Sequence, residues 1–277
     1  MAINSINTND GSFIALQNLA ATASSLRETQ DRISTGKKIA NAKDNGAIWA
    51  IAQNLRGASQ SINAVKQSLD RAQSTADVAI TAGTNISDLL VQMKEKALAA
   101  TDTALDTQSR LALNDDFKVI RDTIKKTVDN AEFNGTNMIK TGGTSMSALA
   151  NVAGTNVITI AAQSLALGGA NLAGLSSTSS FNTAAGASTF LAAINTALNK
   201  TNRILATMGA QYKAVALHNT FMAKLQDNLD SGVGNLVDAD LGRESARLQS
   251  LQSRQQLGVQ AASIANQSTS ALLGLFR

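Results

Sequence analysis

The sequence of 277 residues contains no cysteine and no proline, a single histidine, and few aromatic residues, which make up 3% of the chain. Without cysteine the chain has no disulfide bridge, no thiolate nucleophile and no Cys-ligated metal site. We interpret the one histidine, His218, as structural, because a hydrolytic triad would need a nucleophile and a carboxylate in matched positions beside it. These absences predict a protein that uses no cofactor or metal ion and is not an enzyme.

Neither a membrane nor a nucleic acid is a predicted partner. No apolar run reaches the roughly 18 residues needed to span a bilayer, and residues 1–10 lack the basic and apolar segments of a secretory signal peptide. The 24 lysines and arginines are dispersed among 20 acidic residues, and few aromatic side chains are available to stack on bases. If the protein leaves the cell, we expect it to use a dedicated export apparatus.

The absence of proline permits long helices, because proline removes a backbone donor and clashes with the preceding helical turn. Apolar residues recur at alternating spacings of three and four from Ile48 to Ala100, with Gly83 as the exception in the series. This spacing places one apolar stripe along a helix. It predicts a helix over 48–100, roughly 80 Å long at 1.5 Å per residue, which must pack lengthwise against other helices.

Two further helices are predicted to pack against the first. One runs from Leu105 to Asn130 and is followed by a turn at Asn134 and Gly135, and the other begins near Thr189 and continues through position 229. The stripe residues of these two helices are Leu113, Phe117, Ile120, Ile124 and Val128, and Leu191, Ile194, Leu198, Leu205, Met208, Tyr212, Val215, Met222 and Leu229.

Residues 141–186, between these helices, differ in composition. They contain two glycine pairs, a row of serines and a short β-like run at 156–160. The glycines lack the spacing of a phosphate-binding loop, so we interpret them as turn residues. The predicted fold is mostly α: a long antiparallel helical bundle or coiled-coil rod with a small β-hairpin insertion.

Both ends of the chain carry coiled-coil spacing. Leu19, Leu26 and Ile33 recur every seven residues, and Leu241 and Leu248 repeat that interval near the C-terminus. Polar residues dilute both segments, so either helix alone in water would gain little from packing. We expect the two ends to become ordered when copies of the chain associate.

Short motifs at both ends are characteristic of one family. Residues 3–9 read I-N-S-I-N-T-N, residues 32–39 read R-I-S-T-G-K-K-I, and A-K-D-N follows at 42–45. Glu132-Phe133-Asn134-Gly135 forms a further motif, D-A-D stands at 238–240, and the chain closes with A-L-L-G-L-F-R at 271–277. Together these motifs resemble those of bacterial flagellin, the protein of the flagellar filament, and the resemblance covers about residues 1–140 and 190–277.

The resemblance implies a structural subunit that polymerises with itself and with sibling flagellins. It implies a terminal coiled-coil core domain of residues 1–40 and 233–277 in the inner tube of the filament. A helical rod of residues 41–140 and 187–232 and a short surface insertion of residues 141–186 would complete the chain, without the large outer domains of longer flagellins. The residues expected to form the polymerisation core are Leu16, Leu19, Leu26, Ile33, Leu241, Leu248, Leu251, Leu272 and Phe276.

The resemblance also implies a place and partners. The protein would be extracellular, in the bacterial flagellum, and exported without a cleaved signal peptide. Its expected partners are the flagellar export apparatus and chaperone, hook-associated proteins and the filament cap. Residues of the insertion that are candidates for O-linked sugars, as on some flagellins, are Thr141, Thr144, Ser145, Ser176, Ser177, Thr178 and Ser179. An unmodified polar loop is the alternative.

Two departures from the family pattern lead to further expectations. Trp49 stands near the start of the first long helix, where we expect it to have a packing role. Residues 86–97 lack the arginine-centred pattern that a vertebrate innate receptor reads in many flagellins, so we expect no recognition by that receptor.

Two other functions stay open. A hook-filament junction protein has similar ends but does not polymerise indefinitely. A coiled coil at a membrane surface is the alternative from another class, but the sequence offers no basic lipid-facing stripe for it.

Overall fold

The computed structural model describes the backbone of residues 8–274 and the side chains of residues 8–267. This part of the chain forms helices α1 (Asp10–Thr35), α2 (Gly46–Ala99), α3 (Thr107–Asn130), α4 (Ala184–Val237) and α5 (Leu241–Gly274), and strands β1 (Met146–Leu149) and β2 (Val157–Ile160). The two strands pair antiparallel, and the predicted fold class is confirmed. The chain divides into two compact units, one with α1, α5 and the adjoining ends of α2 and α4, the other with residues 58–227.

The apolar stripe predicted for the first long helix forms the α2 side of the core of the second unit. Every stripe position from Ile62 to Ala100 is buried. Gly83 belongs to this stripe because of a close approach, since a Cβ built on it would lie 2.7 Å from Leu205 Cδ2. The exception in the sequence pattern is therefore a contact point between α2 and α4.

A small apolar cluster connects the start of α2 to the end of α4 in the first unit. Its buried members are Ile39, Ala52, Val233 and Val237, and Trp49 packs partly buried against them, which confirms its packing role. In this part of α2 the buried face differs from the predicted stripe. Ala52 is buried, while Ile51, which was predicted to be in the stripe, is exposed. The same cluster explains why α4 continues to 237 and not only to the predicted 229, since two of its last residues are held in this core.

Helix α3 contributes Phe117 to a cluster of three aromatic rings in the second unit. The ring centroid of Phe117 lies 5.1 Å from that of Phe181 and 5.7 Å from that of Phe190. Asn114 Oδ1 accepts a hydrogen bond from the backbone N–H of Phe181 at 2.8 Å. This bond satisfies a buried amide next to the rings and so ties the chain before α4 to α3.

Asp106 caps the start of α3. Its carboxylate accepts hydrogen bonds from the Ser109 hydroxyl at 2.6 Å and from the Ser109 backbone N–H at 2.9 Å. The hydroxyl first, and then the backbone N–H, hold the pKa of this carboxyl below its ordinary value. Because the pKa is lowered in the folded state, the cap stabilises the helix above the ordinary Asp pKa, and this contribution is lost as the pH falls through the lowered value.

The turn predicted at Asn134 and Gly135 lies after α3 and before the insertion. Both residues have positive φ, 49° and 77°, and Phe133 and Thr136 exchange backbone hydrogen bonds around them. These are the features of a tight two-residue turn, which explains the Asn-Gly pair because these residue types adopt positive φ most readily.

Three polar side chains hold the β-hairpin against the helices. The Ser68 hydroxyl accepts a hydrogen bond from the Leu149 N–H at 3.1 Å, and the Gln211 side-chain carbonyl accepts one from the Ala161 N–H at 3.1 Å. His218 Nε2 donates to the Ala150 carbonyl at 2.7 Å. This bond gives His218 the structural role that its isolation in the sequence suggests.

Thr201 places an unsatisfied polar group in the core of the second unit. Its side chain is fully buried, and its hydroxyl has no hydrogen-bond partner among the described residues. Thr201→Val removes this hydroxyl at nearly constant volume, so we expect the free energy of unfolding to rise by about 1 kcal/mol. Chemical denaturation followed by circular dichroism measures the change.

The matched control for this substitution is Thr196→Val in the same helix. Thr196 is exposed, and its hydroxyl donates to the Ala192 carbonyl at 3.1 Å. Its replacement should leave the free energy of unfolding nearly unchanged. A loss of stability in Thr201→Val would contradict the prediction.

Candidate self-assembly surface

Helices α1 and α5 pack against each other as an antiparallel coiled coil in the first unit. Buried and half-buried positions recur along both helices at alternating spacings of three and four, and we call them the seam. The seam residues are Ser12, Ala15, Leu19, Thr22, Leu26, Thr29 and Ile33 on α1, and Glu244, Leu248, Leu251, Gln255, Gly258, Ala262 and Ala265 on α5. Small residues let the helices approach closely, since a Cβ built on Gly258 would lie 3.2 Å from Leu19 Cδ1.

Polar side chains connect the start of α1 to α5. Asn9 caps α1, because its Oδ1 accepts a hydrogen bond from the Ser12 N–H at 3.0 Å. The Nδ2 of the same side chain donates to the Ala265 carbonyl at 2.8 Å, and the Ser12 hydroxyl donates to Asn266 Oδ1 at 2.8 Å. One residue thus supports both the start of the helix and its pairing with α5.

A charged pair connects the opposite end of α1 to α5. Arg32 donates to Glu244 Oε1 at 3.3 Å and also pairs with Glu28, one helical turn earlier. The Glu244 side chain is buried, and its Oε2 has no partner among the described residues. Because an unpaired buried carboxylate is costly, the contact with Arg32 favours the alignment of α1 and α5 that the structure shows.

The R-I-S-T-G-K-K-I motif forms the joint between α1 and the start of α5. Gly36 ends α1 with φ of 67°, a conformation that glycine adopts without strain. Beyond it, the Lys38 N–H donates to the Val237 carbonyl at 2.7 Å, and the Ala239 N–H donates to the Gly36 carbonyl at 2.9 Å. The motif therefore holds the chain after α1 against the chain before α5.

The A-K-D-N and D-A-D motifs supply helix caps. Asn45 Oδ1 accepts a hydrogen bond from the Ile48 N–H at 3.1 Å at the start of α2. Asp240 Oδ1 accepts one from the Arg243 N–H at 3.1 Å at the start of α5. These residues determine where the two helices begin, because each satisfies an N–H that has no partner inside the helix.

Two flanks of different chemistry border the seam on α5. Each residue turns the helix by about 100°, so residues just before the seam positions line one flank and residues just after them line the other. The arginine flank, just before the seam, carries the exposed residues Arg243, Arg247, Arg254, Leu257 and Ile264. The glutamine flank, just after the seam, carries the exposed residues Gln249, Gln252, Gln256 and Val259.

Helix α1 adds exposed apolar side chains to both flanks. Two antiparallel helices are related by a twofold axis that is perpendicular to the plane containing them. Residues just before the seam therefore lie on one side of the pair for both helices, and residues just after the seam lie on the other side. Ile14, just before a seam position, therefore lies on the side of the arginine flank, while Phe13 and Leu16, just after seam positions, lie on the side of the glutamine flank. All three are more than half exposed, at 60%, 65% and 52%. Apolar surface is thus left open on both sides of the same end of the helix pair.

The structure distributes the predicted polymerisation-core residues between the seam and its borders. Leu19, Leu26, Ile33, Leu248 and Leu251 lie in the seam, where they contribute to the pairing of α1 with α5. Leu16 and Leu241 are half exposed, at 52% and 50%. Phe276 and the side chain of Leu272 lie outside the described residues.

Sequence reasoning missed five of the exposed apolar residues. They are Phe13, Ile14, Leu257, Val259 and Ile264. The signal that could have found Leu257 and Ile264 is a second series displaced by one position from the seam, formed by Leu257, Ala261 and Ile264 on α5. Such a series indicates a helix with apolar contacts on more than one side.

Six of the seven candidate sugar-bearing residues have exposed side chains. They are Thr141, Thr144, Ser145, Ser176, Ser177 and Thr178. Ser179 is buried, and its hydroxyl accepts a hydrogen bond from the Ser176 N–H at 2.8 Å. Burial argues against Ser179 as a modified residue, because a transferase could not reach its hydroxyl.

The described residues include no membrane-spanning helix and no cluster of metal-ligating side chains. Among them, no helix combines the length and the apolar character that crossing a membrane requires. No group of three or more histidine, aspartate or glutamate side chains in that part of the chain could hold a metal ion.

The fold and its open flanks are those of a helical structural protein that assembles with further copies. The family model described as the bacterial flagellin N-terminal helical region matches residues 6–145, and the model of the C-terminal helical region matches residues 191–276. Flagellin FljO of Caulobacter vibrioides is 57% identical over 277 residues, which cover the whole of both chains. The chain therefore belongs to the bacterial flagellin family, and it is a short form without large outer domains.

Two solved structures with the same fold have low sequence identity to this chain. Bacillus cereus flagellin matches 56% of this chain and 88% of its own, with a TM-score of 0.50 and 20% identity. A flagellar hook-associated protein from Vibrio parahaemolyticus matches 70% of this chain and all of its own, with a TM-score of 0.58 and 16% identity. These likenesses show the fold alone, so the second one does not favour the hook-filament junction alternative.

Proposed function

We propose that this flagellin builds the helical filament of the bacterial flagellum through the flanks of the α1 and α5 pair, and that it has no enzymatic activity. The observation that carries the proposal is the exposed apolar surface on both sides of one end of the pair. Within one copy, the seam residues supply the contacts between α1 and α5. The flanks must therefore find their partners on other copies, because exposed apolar patches of this kind mark interaction sites.

The difference between the two flanks favours an open polymer. An interface that uses two different patches of the same molecule is heterologous, and it forms a filament when the rotation between copies does not close a ring. Burial of roughly 1,000 Å² of apolar surface per subunit would contribute about 25 kcal/mol gross. That contribution opposes the entropy that copies lose when they associate.

The regions of the chain take their roles from this arrangement. In the proposal, residues 1–40 and 233–277 form the inner tube, residues 41–140 and 187–232 form the rod, and residues 141–186 lie on the outside. The filament is extracellular, and sibling flagellins join the same polymer. The export apparatus with its chaperone, the hook-associated proteins and the cap are the remaining partners, and the exposed Ser and Thr residues of the insertion are the candidates for O-linked sugars.

Seeded growth of the purified protein tests this function. Short filament fragments are added to monomer, and the product is imaged by negative-stain electron microscopy. We expect filaments of micrometre length that lengthen with monomer concentration. Short oligomers that do not lengthen would instead support the hook-filament junction protein.

A further inference from the structure

The apolar pair Leu217 and Phe221 projects from α4 in the second unit. The two side chains lie one helical turn apart and are 72% and 56% exposed. Asn219 donates to Asp70 of α2 at 2.7 Å, and Leu217 lies two residues, or about 200°, from Asn219. Leu217 therefore faces away from α2. The His218 ring packs beside Phe221, with 5.8 Å between the ring centroids, so the pair has a defined position while most of its surface stays open.

An open groove of about 580 Å³ lies between α2 and α3 in the same unit. Small and β-branched side chains supply most of its lining, namely Val78, Thr81, Ala82, Thr123, Thr127 and Ala131. Such side chains leave space that larger ones can fill. Because Leu217 faces away from α2, the apolar pair cannot reach this groove in its own copy.

Exposed charges with equal spacing accompany the two surfaces. Lys213 and Lys224 bracket the apolar pair and stand eleven residues apart. Asp77 at one end of the groove and Asp88 just beyond the other end are also eleven residues apart. None of the four has an ion-pair partner among the described residues. The charge of Asp77 raises the pKa of the Tyr212 hydroxyl, and burial of the hydroxyl adds to this, so the neighbour of Asp77 within the copy is a neutral phenol.

The equal spacing defines one register between two copies that point in the same direction. Helices α2 and α4 run antiparallel, since the hydrogen bonds between them pair rising residue numbers on one helix with falling numbers on the other. A neighbouring α4 laid along α2 can therefore bring Lys224 to Asp77 and, eleven residues further, the second lysine to the second aspartate. In this register Leu217 is level with residue 84 and Phe221 with residue 80, within the stretch of α2 that lines the groove. The charges and the apolar pair thus select the same alignment.

The lysines and the aspartates also lie on the same side of this contact. At about 100° per residue, the lysines are rotated by about 20° to 40° from Leu217, and the aspartates by about 80° to 100° from Val78 in the same sense. In an antiparallel pair of helices, side chains displaced in the same sense lie on the same side, as they do on α1 and α5. Opposite charges therefore face each other along one edge of the contact.

The other charges near the groove are compatible with this contact. Those that lie toward α3, away from the docked lysines, are Arg71, Lys126, Glu132 and the ion pairs of Arg121 with Asp122 and of Lys125 with Asp129. The neighbouring α4 presents uncharged Ala214 to that side. On the lysine side, Asp70 adds a third carboxylate of α2, and Asp227 offsets one of the two lysines of α4. The net charges of the two faces on this side are therefore opposite.

We propose that the apolar pair Leu217 and Phe221 of one copy enters the groove between α2 and α3 of the next copy. The lysines on either side of the pair set the register on Asp77 and Asp88. The two surfaces differ, so the contact is heterologous and repeats from copy to copy. The proposal rests on the proposed function, since it adds a contact between the rods of neighbouring subunits in the filament.

Cysteines introduced into this cysteine-free chain test the contact. Thr81 and Thr220 are both exposed, and the proposed register places them level with each other across the contact. Filaments of the double variant Thr81→Cys with Thr220→Cys are oxidised and run on a non-reducing gel. We expect a ladder of dimers, trimers and higher multimers, because each chain joins one neighbour at each cysteine. Within one copy Thr81 is level with about residue 208, roughly 18 Å from Thr220, which is too far for a disulfide.

Three controls establish the register. Thr81→Cys alone and Thr220→Cys alone should stay monomeric on the gel, since neither residue meets its own copy. Thr196→Cys combined with Thr81→Cys should also give no ladder, because Thr196 is exposed on the same helix but about seven turns from Thr220. Circular dichroism of each variant shows whether the helices form.

Charge reversal tests the role of the lysines. Lys213→Glu with Lys224→Glu turns two attractive contacts into repulsive ones, so we expect the critical concentration for seeded growth to rise about tenfold at low salt. The increase should shrink as salt screens the charges. Adding Asp77→Lys and Asp88→Lys to that chain restores both attractions and should return the critical concentration to within about threefold of that of the unaltered chain.

The outcomes separate this contact from the proposed function. No ladder in the double cysteine variant, dimers in either single variant, or no rescue by the compensating charges would overturn the contact while the proposed function stands. Failure of the unaltered chain to grow from seeds would overturn the proposed function and this contact with it.

Discussion

Replacing Leu16, Leu257 and Ile264 together with glutamine is expected to abolish filament growth while leaving the fold of the subunit intact. These side chains are 52%, 63% and 68% exposed in the single copy, so polar replacements cost little there. In the proposed filament each would be buried against a neighbouring copy. Full burial of a large apolar side chain contributes about 1.5 to 3 kcal/mol, and the exposed part of three side chains amounts to about 3 to 5 kcal/mol.

At 1.4 kcal/mol for each factor of ten, this loss raises the critical concentration by at least about a hundredfold. Sedimentation of polymer from seeded reactions over a range of monomer concentrations measures that value. Val152→Gln combined with Val157→Gln is the control, since these residues are similarly exposed but lie on the β-hairpin. The control should polymerise like the unaltered chain. Normal growth of the triple variant would show that the flanks of α1 and α5 are not the assembly surface.

The second large effect concerns the pairing of α1 with α5 before any assembly. Arg32→Met leaves the Glu244 carboxylate buried without its cation, and we expect this to destabilise the helix pair by about 1.5 to 3 kcal/mol. Hydrogen exchange detects the effect, because backbone amides of α5 exchange through opening of the pair. Their protection should fall by about tenfold to a hundredfold.

Two companion variants separate the charge effect from general disruption. Arg32→Met combined with Glu244→Leu removes both charges and should recover most of the lost protection, since apolar replacement of a buried ion pair is often neutral. Arg27→Met changes an exposed arginine of the same helix and should have little effect. Equal protection in Arg32→Met and the unaltered chain would mean that the pair does not determine the alignment of α1 and α5.

Three of the motifs that identify the family have a common physical role in this structure. Gly36 ends α1, Asn45 begins α2 and Asp240 begins α5, so each motif lies where the chain leaves or enters a helix. Such positions accept few residue types, because a left-handed conformation or an unsatisfied N–H must be accommodated. These three motifs are recognisable in sequence for this reason.

The seam positions were predictable, whereas the flanks were not. Leu19, Leu26 and Ile33 repeat every seven residues, and such a repeat has one structural interpretation. Phe13 and Ile14 stand in no repeat of their own, so only their exposure beside a filled seam makes them candidates for contact with another copy. Leu251 shows the reverse case, because it was predicted for the polymerisation core and is already buried within the subunit, at 7% exposure.

The sequence by itself determined the helical fold, the long stripe of α2, the Asn-Gly turn and the family. These features depend on the spacing of apolar residues and on local conformational preference, and residues close together in the sequence determine both. Only the tertiary structure decided which side chains are buried between α1 and α5 and which stay exposed for contact with other copies. It brings Arg32 to Glu244 and Leu19 to Gly258, contacts between residues more than 200 positions apart in the chain. No local pattern can specify such a pairing, because it is selected by burial across the whole unit.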